Sequence, residues 1–226
     1  KEGLELISRL MKDAGLTVRM DEAGNIIGRK EGRTPEAPAV LTGSHSDTVH
    51  EGGKFDGALG ILGAIEALRC MNDAGIVTVH PIEIYAFRDE EGCRFASSYS
   101  GSRIVTGKFE PARLTKSDVD GITVAEALTE LGIDWQQVQL AARPTASAKA
   151  HVELHIEQGC VLEREGAPVG IVSGICASSR GRITLTGEAM HAGTTPMNMR
   201  RDPMSAAAVI IQMIENEASK TGTTVA

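Results

Sequence analysis

Four short signatures constrain this chain most: Gly43-Ser44-His45-Ser46-Asp47, Lys54-Phe55-Asp56-Gly57, Asp89-Glu90-Glu91-Gly92 and His155-Ile156-Glu157-Gln158-Gly159. Each sets a histidine or carboxylate at the end of what reads as a strand, beside a small residue that permits close backbone approach. Imidazole and carboxylate are ligands that hard-to-borderline divalent metals prefer. Two ions sharing a bridging carboxylate form a hydrolytic centre. The pattern therefore predicts the metal-binding part of a hydrolase.

The stretches around these signatures alternate between strand and helix. Residues 2–15 place Leu4, Ile7, Leu10 and Met11 on one face, with Gly15 as a stop, which predicts an amphipathic helix. Leu16–Met20 and Ile26–Arg29 read as strands joined by a turn at Gly24-Asn25. Ala39–Gly43 is a buried strand delivering His45, Ala58–Asp73 a helix, and Pro81–Phe87 a strand running into Asp89, Glu90 and Glu91. A helix near Thr123–Leu131 and a connector around Ala141–Ser147 precede a strand at Ala150–Ile156, a short helix at Cys160–Glu165 and a strand at Pro168–Ser173.

Such alternation predicts an α/β fold with a mixed, largely parallel sheet flanked by helices. Sites in these sheets form beyond the carboxyl ends of the strands, where the four signatures fall. Gly174–Ser179 reads as a hinge. Beyond it, a strand at Arg182–Thr186, a loop at His191–Pro203 and a helix at Met204–Ala218 predict the start of an α+β domain.

Bulk properties exclude several classes. A chain of 226 residues with 42% hydrophobic and 23% charged residues can bury a sizeable core, which argues against disorder. A net charge of -7 carries no basic footprint for nucleic acid, and no apolar run is long enough to span a membrane. Cys70, Cys93, Cys160 and Cys176 are widely spaced, which suits reduced, mostly buried thiols and a cytoplasmic setting.

Each candidate ligand also has a plainer role available. Asp47, two residues after His45, can accept the second imidazole proton and orient the ring. Asp56 can cap the helix that starts at Ala58, or bridge two ions through its two oxygens. Glu90 and Glu91 point in different directions at a strand end, so one can bind metal while the other acts as general base; the plainer alternative is a solvated acidic turn. His155 lies at the end of its strand, whereas His151 reads as structural or exposed. His191 is a loop histidine, and His50 and His80 have no support for a role. No Gly-x-Ser-x-Gly elbow or phosphate-binding loop is present.

The ordered stretches GSHSDTV, GGKFDGALG, DEEGCRF, VELHIEQG and MHAGTTPMNMRRDP resemble the metal-dependent amidohydrolase branch of the M20 peptidase family. That branch includes N-carbamoyl-L-amino acid hydrolases and the allantoate and ureidoglycolate amidohydrolases. The resemblance implies a zinc-peptidase-like catalytic domain with two divalent ions, of zinc, manganese, cobalt or nickel. It implies His45, Asp56, Glu91 and His155 as metal ligands, with Asp56 bridging, Asp47 orienting His45 and Glu90 as general base. His191 would contact the substrate or its oxyanion across a homodimer, and Gln158 would lie beside the substrate.

The stretches MNDAGIVTVHPIEIYAF and PVGIVSGI are closest to L-carbamoylases, which makes N-carbamoyl-L-amino acids the expected substrates. Allantoate amidohydrolases tend to carry arginines where this chain has Ser178-Ser179-Arg180; allantoate or ureidoglycolate is the alternative substrate. An M20 aminopeptidase would present a carboxylate in place of His155. A non-catalytic binding module with a degenerate site is the alternative of another class, opposed by the presence of Asp47, Glu90 and Glu91 together. The family's C-terminal histidine ligand has no counterpart before Ala226. The expectation is therefore an incomplete catalytic domain over 1–176, the beginning of a lid and dimerisation domain over 177–226, one under-coordinated ion, and weak or absent activity for these 226 residues alone.

Overall fold

The computed structural model describes residues 2–222, in two compact units, Lys1–Pro168 and Val169–Ala226. In the first unit, helix α1 (Glu2–Asp13) carries Glu2 and Glu5 in its first turn and Lys12 in its last, matching the helix dipole. Its apolar stripe faces inward and Met11 is wholly buried. Gly15, at φ 80°, ends it. Strands β1 (Thr17–Met20) and β2 (Ile26–Lys30) then form a hairpin with Met20 opposite Ile26. The Asp21 carboxylate closes the turn by accepting the N–H groups of Ala23 and Asn25.

Strand β3 (Ala39–His45), helix α2 (Ala58–Asp73) and strand β4 (Ile82–Phe87) follow as a parallel crossover. Helices α3 (Ser100–Val105) and α4 (Val124–Glu130) lie in the long passage to strand β5 (Ala148–Val152), which pairs parallel to β3. The sheet order is β1-β2-β4-β3-β5, with β4, β3 and β5 parallel and β2 antiparallel to β4. This is the expected mixed sheet, with three parallel strands and an antiparallel hairpin on one edge.

Helices or connecting segments cover both faces of the central strands, so alternate residues of β4 enter different cores. Ile84 and Ala86 join Met11, Ile61, Ile65 and Leu68 beneath α1 and α2. Tyr85 packs with Ile27, Leu41 and Val105 on the other face. A third cluster gathers α4 with Phe95, Ile104, Ile133 and Val138. Full burial of one such side chain contributes roughly 1.5–3 kcal/mol.

Four expectations need correction. The strand predicted at Ala150–Ile156 is Ala148–Val152, because residues 153–155 leave the ladder and lie over the start of α2. The strands predicted at Pro168–Ser173 and Arg182–Thr186 are absent: residues 169–191 are irregular, with Ile171 99% and Ile183 64% exposed. Alternation is not sufficient for a strand; it needs a ladder partner, and none lies beside these residues among those described. All four cysteines are exposed rather than mostly buried.

In the second unit, helix α5 (Val161–Glu165) having ended the first, helix α6 (Pro203–Thr221) is the main regular element. Asp202 caps it by accepting the Met204 N–H, and Pro203 starts it.

Candidate metal centre

The parallel register brings the signatures together. His45 pairs with Phe87 at the carboxyl ends of β3 and β4, so the turn that follows Phe87 stands beside the histidine. The chain beyond β5 brings His155 in from the other side of β3. Two groups of potential ligand atoms result, His45 with Asp56 and His155, and His45 with Glu90 and Glu91, each with its atoms within 4.8 Å of one another.

In the first group, Asp56 Oδ1 lies 3.4 Å from His45 Nε2 and 3.2 Å from His155 Nε2, and the two nitrogens are 3.4 Å apart. His45 Nδ1 is 2.7 Å from the main-chain carbonyl of Asp47, and His155 Nδ1 is 2.9 Å from that of Ile156. A carbonyl only accepts, so each neutral ring carries its proton on Nδ1 and presents a bare lone pair at Nε2. Asp56 Oδ1 is buried and has no hydrogen-bond partner. Three lone pairs thus converge with no proton among them, an arrangement a cation satisfies. The residues fit a borderline divalent metal.

Asp56 does not cap α2. The N-cap position is Gly57, without a side-chain cap, and Asp56 Oδ2 accepts instead from Gln158 Nε2 at 2.9 Å. Gly57 adopts φ 66°, and a Cβ there would fall 2.6 Å from His45 Cε1 and Nδ1. Glycine is required by both backbone and ring. Gln158 is itself held at φ 54°, a conformation that non-glycine residues keep chiefly where surrounding structure imposes it.

Asp47 acts differently from the sequence expectation. Its carboxylate is 3.9 Å from His45 Nδ1 and instead accepts the Glu90 N–H at 2.9 Å and the Glu91 N–H at 3.0 Å. The ring is oriented by Asp47's main-chain carbonyl, because the chain curls after His45 instead of continuing the strand. The acidic turn is also pinned from its other side, where Gly101, Ser100 and Tyr99 donate N–H groups to the carbonyls of Arg88, Asp89 and Glu90. Burial pushes the Glu90 carboxyl above its ordinary range; His45 pulls it down, while Glu91, Asp47 and Asp56 push it up.

Sequence reasoning passed over Asn25 and Arg88. Asn25 is wholly buried, donates to Asp21 Oδ2 and accepts the Arg88 N–H, tying the hairpin turn to the start of the acidic turn. Arg88 Nε donates to the Ala23 carbonyl, completing that tie. Gly24-Asn25 read as a turn only, and the buried amide left no further signal in the sequence.

The other histidines divide cleanly. His80 Nδ1 bonds the Pro38 carbonyl, a structural contact. His151 is exposed, with its ring 6.4 Å from that of Phe87. His191 belongs to the second unit, where its Nδ1 accepts from the Gly193 and Thr194 N–H groups, leaving the proton on Nε2.

The mixed α/β sheet thus presents a cluster of histidines and carboxylates at its strand ends, a candidate metal site. The chain belongs to peptidase family M20/M25/M40, whose pattern matches residues 41–225. It is 53% identical to an N-carbamoyl-L-amino acid amidohydrolase of Geobacillus stearothermophilus, over 98% of this chain and 54% of that one. It is 44% identical to an allantoate deiminase of Arabidopsis thaliana, over 94% of this chain and 41% of that one. The crystal structure of a hydantoinase/carbamoylase family amidase from Burkholderia ambifaria superposes with a TM-score of 0.79 at 38% identity, covering 98% of this chain and 53% of its own. The chain spans about half the length of the curated relatives it matches.

Proposed function

We propose that these residues belong to an enzyme that hydrolyses the carbamoyl C–N bond of N-carbamoyl-L-amino acids, giving the amino acid, ammonia and carbon dioxide. The observation that carries this reading is the convergence of His45 Nε2, His155 Nε2 and buried Asp56 Oδ1 without a proton between them. We assign His45, Asp56 and His155 to one divalent ion, with Asp56 and Glu91 holding a second; zinc, manganese, cobalt and nickel all suit these donors. Bound there, the metal supplies polarisation of the amide carbonyl and acidification of water.

Glu90 takes the proton of the attacking water as its oxygen bonds to the carbamoyl carbon. The raised affinity of Glu90 for protons suits it to hold that proton, then deliver it to the departing nitrogen as the C–N bond breaks; the carbamic acid left behind then loses carbon dioxide, its second C–N bond breaking to free the other amine. His191, with its proton on Nε2, donates to the developing oxyanion from the lid of a second subunit in a homodimer. The catalytic domain runs over 1–176 and the lid begins over 177–226. Gln158, beside Asp56, borders the substrate. Four cysteines without a disulfide suit the cytoplasm, and no helix among the described residues is long and apolar enough to cross a membrane.

A second reading, hydrolysis of allantoate, is favoured by the 44% identity to an allantoate deiminase over 94% of this chain. Ammonia release by the intact enzyme, with N-carbamoyl-L-amino acids and allantoate compared side by side, separates the two. Glu90→Gln is expected to lower turnover by about 10²–10⁴-fold. Turnover of neither substrate by the metal-loaded enzyme would refute the assignment.

A further inference from the structure

The two histidines that face Asp56 lie beyond the end of the backbone pairing between β3, which carries His45, and β5, which leads to His155. The β3–β5 ladder ends at Thr42 opposite Val152, and His45 and His155 each lie three residues farther on. His155 Nδ1 bonds only its neighbour's carbonyl, so that contact orients the ring but does not place the segment. Yet the two Nε2 atoms stand 3.4 Å apart.

One side-chain contact spans this gap. Ser44, wholly buried immediately before His45, donates from Oγ to Glu153 Oε1 at 2.5 Å. The surface beneath is cut to receive the same segment. A Cβ on Gly60 of α2 would lie 2.5 Å from the Leu154 carbonyl oxygen and 2.6 Å from Ser44 Cβ, and one on Gly63 would lie 3.2 Å from the Leu154 side chain. Leu154 is thereby seated against α2, flanked by the Glu153 anchor on one side and His155 on the other.

We infer that Ser44 and Glu153 are positioning residues: their hydrogen bond, made over the Gly60 notch, continues the β3–β5 pairing beyond its last backbone bond and sets His155 against His45. The pair acts through the histidines and touches neither substrate nor metal. This inference rests on the proposed reading of His45, Asp56 and His155 as a metal site. Outer partners that orient metal ligands typically govern affinity by 10–100-fold.

The test uses cobalt(II), whose visible absorption reports coordination, with competition against a chelator for affinity and thermal unfolding of the metal-free protein for structure. Ser44→Ala and Glu153→Ala are expected to weaken cobalt(II) binding by about 10–100-fold and alter its spectrum. The metal-free unfolding temperature should fall only by the few degrees that one lost hydrogen bond from buried Ser44 to a carboxylate accounts for, too little to explain the loss of cobalt(II). Glu153→Gln keeps an acceptor oxygen and is expected to restore both affinity and spectrum. The double variant Ser44→Ala/Glu153→Ala should be no worse than either single change, because both remove one bond.

Unchanged affinity and spectrum in Ser44→Ala would overturn the inference. So would a Glu153→Gln variant as weak as Glu153→Ala, or losses of affinity that merely follow losses of metal-free stability. His155→Ala separates the layers. If it binds cobalt(II) like the parent, the metal-site reading itself falls, and this inference with it; if it loses binding while Ser44→Ala keeps it, only the positioning role falls.

Discussion

Asp47→Asn distinguishes two ways of building this centre. If the carboxylate orients His45, the variant loses metal; the structure predicts otherwise. His45 Nδ1 bonds the Asp47 main-chain carbonyl at 2.7 Å, a contact that asparagine retains. What changes is the acidic turn, whose Glu90 and Glu91 N–H groups both donate to the carboxylate, at 2.9 and 3.0 Å. Asparagine offers one acceptor oxygen and turns an NH₂ group towards the other donor. A hydrogen bond to a charged group contributes about 1.5–3 kcal/mol. The Asp47 side chain is 28% exposed, so water replaces part of the loss and roughly 1–2 kcal/mol remains. If that falls on the alignment of Glu90 in the transition state, turnover drops by about 5–30-fold, and further in Asp47→Ala. Metal affinity at His45, Asp56 and His155 should stay within about threefold, as no ligand contact is lost. Chelator competition and steady-state turnover on the same preparations measure both. A tenfold or greater loss of affinity with turnover per bound metal unchanged would refute the reasoning and return the orienting role to the carboxylate.

Three other outcomes are expected. Divalent metal at 100 times its dissociation constant should stabilise the protein by about 2.7 kcal/mol, raising the melting temperature by roughly 5–11 °C in calorimetry, and chelator should reverse the rise. Gly57→Ala places a Cβ 2.6 Å from the His45 ring on a backbone at φ 66°, so it should lose at least about 1 kcal/mol of stability and bind metal measurably more weakly by titration calorimetry, with an unchanged circular dichroism spectrum. Glu83 is buried, which pushes its carboxyl up, but hydrogen bonds from Arg143 and Arg29 outweigh this and hold it below the ordinary 4.5. Its contribution to stability is therefore present above that ordinary value and is lost as pH falls through the lower folded one. Glu83→Gln should lose about 2–3 kcal/mol near neutral pH, less than the 3–5 of a fully buried pair because Arg29 and Arg143 are 28% and 19% exposed. Urea unfolding at several pH values should show the difference from the parent shrinking below pH 4.5; a constant difference would refute the linkage.

Much of the first unit was legible because its signals are periodic or chemical. The stripe of Leu4, Ile7, Leu10 and Met11, the apolar run Ile82–Phe87 and the span Ala58–Asp73 each announce an element and its ends. The second unit was not legible in the same way. Arg182–Thr186 has strand alternation, but alternation describes only which face would be buried; it does not supply the neighbour whose N–H and C=O groups make a strand. The cysteines failed for a related reason. Their spacing argues against a disulfide framework and says nothing about which side of an element faces water.

At the candidate site, the sequence identified side chains and missed main chain. His45, Asp56, Glu90, Glu91 and His155 stood out because few residue types bind metal, and the structure groups them at the strand ends. The carbonyl that holds His45 could not stand out, because every residue has one. Spacing of two along an extended strand suggested that the Asp47 carboxylate faces the ring; the chain turns at that point and exchanges the roles of side chain and backbone. The same exchange frees the carboxylate to hold the Glu90–Glu91 turn. A single residue thus links His45 to the acidic pair, one through its carbonyl and the other through its carboxylate, and changes that remove only the carboxylate should separate metal binding from proton transfer.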